Sequence, residues 1–110
     1  MPKDDGILFG HMLDTVRQAL SLVKGKSRSD YDQDLALRLA LAHLIQTIGE
    51  AARRVSPEGQ AAHPKIEWRD VIGMRHKIGH DYMTVDSDIV WLVVTKDLPA
   101  LLARVERITS

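Results

Sequence analysis

The sequence predicts an all-α fold, an antiparallel bundle of four to five helices. Three observations lead there: apolar residues recur at spacings of three and four, capping and stop residues punctuate those runs, and the one strand-like segment has no partner strand. Leu8, Met12, Thr15/Val16, Ala19 and Leu22/Val23 mark a first amphipathic helix. It should end near Lys24-Gly25, where a glycine takes the left-handed cap without steric cost. Ser27 to Asp30 supplies turn and cap residues, and Asp30 with Gln33 has the spacing of a capping box. A second helix is expected from about Tyr31 to Val55, with Leu35, Leu41/Ala42, Ile45, Ile48, Ala52 and Val55 on its buried stripe. SPEGQAAHPK, with two prolines and a glycine, reads as a loop with room for one helical turn.

Trp68, Val71/Ile72, Arg75 and Ile78 form a short third helix, with Gly79 as its natural stop. Asp86-Ser87-Asp88 opens a fourth helix running toward Ile108. Pro99 lies inside that span, so it should kink the helix, or Asp97 should cap a fresh segment. IVWLVV, Ile89 to Val94, is rich in β-branched residues, but a lone strand has nowhere to place its hydrogen bonds, so it is expected to be helical. Six successive apolar residues cover a helix all round. Two explanations stand: a central helix wrapped by its own neighbours, or the seam of a homodimer.

At 110 residues the chain is one domain, residues 1–110, long enough to bury a single core. No stretch approaches the ~20 apolar residues of a membrane span, and MPKDDGILFG lacks the pattern of a secretory signal. The absence of cysteine excludes disulfides and thiolate zinc sites and fits a cytoplasmic location. Fifteen basic and fifteen acidic residues balance, so nucleic acid can be held only through a local basic cluster.

RHKIGHDY, Arg75 to Tyr82, is where chemistry concentrates. On an unbroken helix Arg75 and His80 serve different faces, ~140° apart. If Gly79 ends the helix, Arg75 stays in its last turn while His80 and Tyr82 project together from the segment beyond. The first helix, or a second subunit, then supplies the opposite wall. A guanidinium forks onto phosphate oxygens and an imidazole moves protons near neutrality, which together suit RNA cleavage by the 2′-hydroxyl without a metal. One imidazole does not serve easily as both acid and base, so His76 shares the work or two chains each contribute a pair. The plain structural reading is that these cations cap the negative end of the helix dipole.

Elsewhere, His43, Gln46/Thr47 and Glu50 form a polar stripe on the second helix. Glu50 either orients Arg75 or His80 or pairs with Arg53 or Arg54 one turn on. His11 and His63 are expected on the surface, and Trp68 and Trp91 at packing positions. Asp81 should point away from His80 and Tyr82. With no H-E-x-x-H spacing, no metal is expected.

Arg75, four residues, His80, one residue and Tyr82 form R-x4-H-x-Y, which resembles the signature of HepT-type toxins of the HEPN superfamily. IGEAARRVS, HPKIEW, IGMRHKIGHDY and VDSDIVWLVVTKDLP extend the resemblance over roughly Leu35 to Ile108. His76 fills a slot where that family commonly has Asn, which suits a helper better than a catalyst. The resemblance implies a helical bundle that dimerises around a composite, metal-independent RNase site acting on tRNA or mRNA. It implies Arg75 and His80 as catalytic residues and Tyr82 as the acceptor of AMP from a partner nucleotidyltransferase antitoxin. ATP is then the partner's substrate, and the chain needs no cofactor of its own. Two other readings remain open: a non-catalytic HEPN bundle that binds a nucleotide or scaffolds the nucleotidyltransferase, and a plain helical dimer.

Overall fold

The computed structural model describes residues 3–79 and 85–109, which form helices and short connections without a strand among them. Helix α1, Lys3–Val23, buries Phe9, Met12, Val16 and Ala19 and stops as expected, with Gly25 at φ 74°.

The next segment departs from expectation. Instead of one helix from Tyr31 to Val55, α2 covers Arg28–Asp32 and α3 covers Leu35–Arg54. The reason is competition between caps. Ser27, not Asp30, starts α2: its hydroxyl accepts from the Asp30 N–H while the Asp30 carboxylate accepts from the Ser27 N–H. Asp34 then accepts from the Leu37 N–H at 3.0 Å and starts α3 afresh. Leu35, expected on the buried stripe, is 61% exposed because it now stands at the first position of α3. Leu41, Ile45 and Ile48 hold the centre of the core, each fully buried and worth about 1.5–3 kcal/mol by transfer from water.

Helix α2 is anchored to the far end of the chain. The Tyr31 ring is wholly buried 5.0 Å from Trp91, and its hydroxyl donates to the Ser87 carbonyl at 2.9 Å. Arg28 pairs with Asp32 at 2.8 Å and also reaches Asp88.

Helix α4, Pro57–Ala62, is the single helical turn foreseen in the proline-rich loop, capped by Ser56. Helix α5, Trp68–Lys77, packs on α3 and ends before Gly79 at φ 122°. Trp68 stacks edge-on against Phe9 at 5.8 Å, a packing role as expected.

Helix α6, Ser87–Leu92, begins at the Asp86 cap and continues through a π-turn, Val93–Asp97, into α7, Leu98–Thr109. IVWLVV is therefore helical. Val90, Val93 and Val94 are fully buried, Ile89 and Trp91 half-buried, and only Leu92 faces outward, so the chain's own helices cover most of the run. Of the two expectations for Pro99, the fresh segment capped by Asp97 does not form, since Asp97 lies inside a π-turn that runs straight into α7. The Leu98 N–H bonds to the Val93 carbonyl, five residues back, and this surplus residue makes room just before the proline ring. Helix α7 lies along α1, where Arg17 meets Glu106 at 3.4 Å. No helix is long and apolar enough to cross a membrane among the described residues.

Candidate active-site cleft

Two contacts set the site. The first is a close approach between α3 and α5. A Cβ on Gly49 would lie 3.3 Å from the Val71 carbonyl oxygen and 3.4 Å from that of Ile72, so only glycine fits there without displacement. The adjoining residue, Glu50, reaches Arg75 one turn further along α5, with Oε2 3.3 Å from Nη1. The same carboxylate accepts from Arg53 at 2.6 Å and 3.2 Å. Both alternatives foreseen for Glu50 are thus realised at once. The Arg53 hydrogen bonds, followed by the Arg53 and Arg75 charges, hold the Glu50 carboxyl below its ordinary range, so it stays ionised. Arg75 uses only Nη1 in this pair, leaving its Nε and Nη2 edge without a partner among the described residues.

The second contact fixes the register of α1 on α3. Asp5, 2% exposed, accepts from the Ser56 N–H at 2.9 Å and from its hydroxyl at 2.6 Å. This ties the start of α1 to the end of α3, while Gln18 and His43 share a smaller groove near the opposite ends. The helices run antiparallel, and by that register His11 stands level with Glu50, Asp14 with Thr47, and Gln18 with His43.

Between them opens a cleft of about 750 Å³. Its α3 wall presents the polar stripe His43, Gln46, Thr47 and Glu50, with Arg54 beside it. Arg75, His76 and Gly79 form one end, and α1 supplies the opposite wall with His11, Asp14 and Gln18. Thr15 and Thr47 spend their hydroxyls on the carbonyls of His11 and His43. The structure thus brings together Arg75, His76 and Glu50. His80, Asp81 and Tyr82 lie outside the described residues. His76 and His80 stand at the i, i+4 spacing that pairs two imidazoles for a metal on a continuous helix, but α5 ends at Lys77, between them. His63 is half-buried at the end of α4, its ring 5.3 Å from Phe9.

A family model described as "Ribonuclease HepT-like" matches residues 12–108 of this sequence. The chain belongs to the HepT-like family. The match spans every helix that builds the cleft, α1 from Met12 onward included. Among similar proteins, one named "Putative RNase" from Caldanaerobacter subterraneus subsp. tengcongensis is 33% identical over 89% of this chain and 88% of its own length. A "Probable ribonuclease HepT" from Thermococcus cleftensis is 29% identical over 87% of this chain and 91% of that one. No solved structure matches.

Within this HepT-like bundle the first helix lines the wall opposite Arg75, one of the two alternatives expected, and what sequence reasoning missed is which of its residues do so. His11 is exposed, as expected, but it opens onto the cleft rather than onto bulk solvent alone. A signal was present. Leu8, His11, Thr15 and Gln18 recur at i, i+3 and i+4 beside the apolar stripe, forming a second face of the same helix.

Proposed function

We propose that the chain is a metal-independent endoribonuclease, the toxin of a toxin–antitoxin pair. The observation that supports this most directly is the half-engaged Arg75. Glu50 holds one end of the guanidinium at the cleft, while its other N–H edge, without a partner among the described residues, can fork onto phosphate oxygens. His80, placed beyond Gly79 by the sequence motif, removes the proton of the 2′-hydroxyl. The 2′-oxygen–phosphorus bond forms and the phosphorus–O5′ bond breaks, leaving a cyclic phosphate and a free 5′-hydroxyl. Arg75 neutralises the charge that builds on the phosphorane oxygens. The departing oxygen takes its proton from His76 or from the His80 of a second copy across a homodimer seam.

Tyr82 positions the RNA and accepts AMP from ATP, transferred by a partner nucleotidyltransferase with release of pyrophosphate. The attached phosphodiester then occupies the place of the RNA phosphate beside Arg75 and repels substrate. On this reading the chain works in the cytoplasm on tRNA or mRNA and binds no cofactor itself.

Purified protein incubated with tRNA and total RNA in EDTA tests the proposal. Cleavage by wild type, lost in both His80→Ala and Arg75→Ala, supports it. Nucleotide binding without cleavage points to a scaffold for the nucleotidyltransferase, and inactivity towards both leaves a helical bundle whose cations cap α5. Mass measurement after co-expression with the neighbouring nucleotidyltransferase, with and without Tyr82→Phe, tests the switch.

A further inference from the structure

The proposed chemistry uses one end of the cleft. Arg75, with His76 beside it and its Nη1 held by Glu50, offers a place for one phosphate, yet the cavity extends to about 750 Å³, the size of a site for a nucleotide-sized ligand. The rest runs between α1 and α3, and its walls change character. At the Arg75 end the lining holds two guanidiniums, Arg75 and Arg54, with the Glu50 carboxylate spent on Arg75 and Arg53. One turn along α3 from Glu50, about 6 Å by helix rise, it becomes Gln46 and Thr47, faced by Asp14 of α1. Gln18 and His43 follow at the far end.

The side chains of Asp14, Gln18 and Gln46 form no hydrogen bond among the described residues. Gln46 is half-buried, its amide uncommitted among the described residues. A carboxylate repels a phosphate but accepts strongly from N–H groups. An amide offers one acceptor and one donor pair. Such a set matches the edge of a base and not the backbone of a nucleic acid. In a duplex that edge is occupied by the complementary strand, whereas an unpaired base can be splayed into a groove.

We propose that the α1–α3 arm of the cleft is a nucleobase subsite. It takes one unpaired base of single-stranded RNA, next to the phosphate held by Arg75, and favours bases with an exocyclic amine. Asp14 accepts from that amine, and Gln46 completes the edge. Adenine, cytosine and guanine carry the group and uracil does not. The substrate class follows: single-stranded loops or tails, with discrimination against uridine at one position. The subsite deepens the ribonuclease reading and rests on it for its place in the reaction, but its binding can be measured without cleavage.

The test uses the full chain and short 2′-O-methyl oligoribonucleotides that cannot be cut, identical except for one base varied through all four. Fluorescence anisotropy should give about tenfold weaker binding when the varied base is uracil, the size of one hydrogen bond to a charged acceptor. In Asp14→Ala and Gln46→Ala the four oligonucleotides should bind within about threefold of one another, while thermal unfolding stays at the wild-type midpoint. Discrimination unchanged in both variants, or equal binding of all four bases by wild type, overturns the subsite. If the subsite holds and RNA is not cleaved, the ribonuclease reading fails alone. If RNA is cleaved without base discrimination, the subsite fails alone.

Discussion

Gly49 offers the sharpest check on how the cleft is built. Replacing it with alanine relieves the flexibility of a helix-interior glycine, a gain of about 1 kcal/mol. Against this, the new Cβ would sit 3.3 Å and 3.4 Å from two carbonyl oxygens of α5, which must give way by a few tenths of an ångström. Overpacking of that kind costs about 1–3 kcal/mol. Gly49→Ala should therefore lie between nearly neutral and a loss of about 2 kcal/mol. Valine gains less helix propensity, and its two methyl groups press further into the same oxygens. The upper end of the overpacking range then applies, for a net loss of about 2–3 kcal/mol. For a chain of this size, each kcal/mol corresponds to about 4 °C, so Gly49→Val should melt about 10 °C lower. Circular dichroism melts and urea titrations at neutral pH measure both variants. Because α5 carries Arg75, RNA cleavage should fall in Gly49→Val even at temperatures where the variant is fully folded. A valine variant as stable as wild type would falsify the close approach of α3 and α5.

Three further outcomes are expected. Arg75→Ala should lower RNA cleavage by about 100-fold or more, as loss of a transition-state cation does, yet leave the melting midpoint almost unmoved because the pair is 41% and 39% exposed. A large fall in midpoint would instead mark Arg75 as structural. The Asp5 carboxyl is held below its usual value of about 3.9 by the Ser56 hydroxyl first and its N–H second, with the partial opposition of burial. Its folded-state value is the depressed one, so the stabilisation is complete above pH ~4 and disappears as pH falls through the lower value. Urea midpoints of wild type and Asp5→Asn should converge on acidification below pH ~4, and a constant gap refutes the role. Tyr31→Phe removes the bond to the Ser87 carbonyl and should cost about 1 kcal/mol, read as a shift in urea midpoint with unchanged slope.

What could be read from the sequence was what local chemistry decides. The ends of α1 and α5 at Gly25 and Gly79 and the Asp86 cap follow from residues a few positions apart, and the helical state of IVWLVV from the lack of any partner strand in the sequence. The break at Gln33–Asp34 was hidden because the hydrophobic spacing runs straight through it, and two nested caps, Ser27 and Asp34, outcompeted continuity. The π-turn was hidden for another reason. It changes hydrogen-bond register without changing which side chains are apolar, so no pattern announces it. Within the site, the link from Glu50 to Arg75 was foreseen as one of two alternatives. The first helix was likewise one of two candidates for the opposite wall, but the residues that line it were not foreseen, since the register that brings His11 and Asp14 to face α3 is set by Asp5 and Ser56, 51 residues apart in the chain.

Gly49 and Glu50 show how packing and chemistry are joined in this fold. A helix contact as close as that at Gly49 leaves α5 little freedom to slide, because carbonyl oxygens, unlike side chains, cannot rotate away. The next residue of α3 then projects one turn further along the same interface and meets Arg75. Helix spacing is thus converted into the position of a guanidinium, and Arg53 on the other side of the carboxylate stops Glu50 from following a substrate outward. On the proposed reading, a phosphate entering the cleft meets a cation whose location is already determined by backbone contact, with its second N–H edge unspent among the described residues. That arrangement costs little reorganisation when charge develops, which is the condition for a cation to favour a transition state over a bound substrate. It also explains why stability and activity should part company at Arg75 but fall together at Gly49. On the proposed reading the first residue keeps one edge for the substrate, and the second holds the frame that positions it.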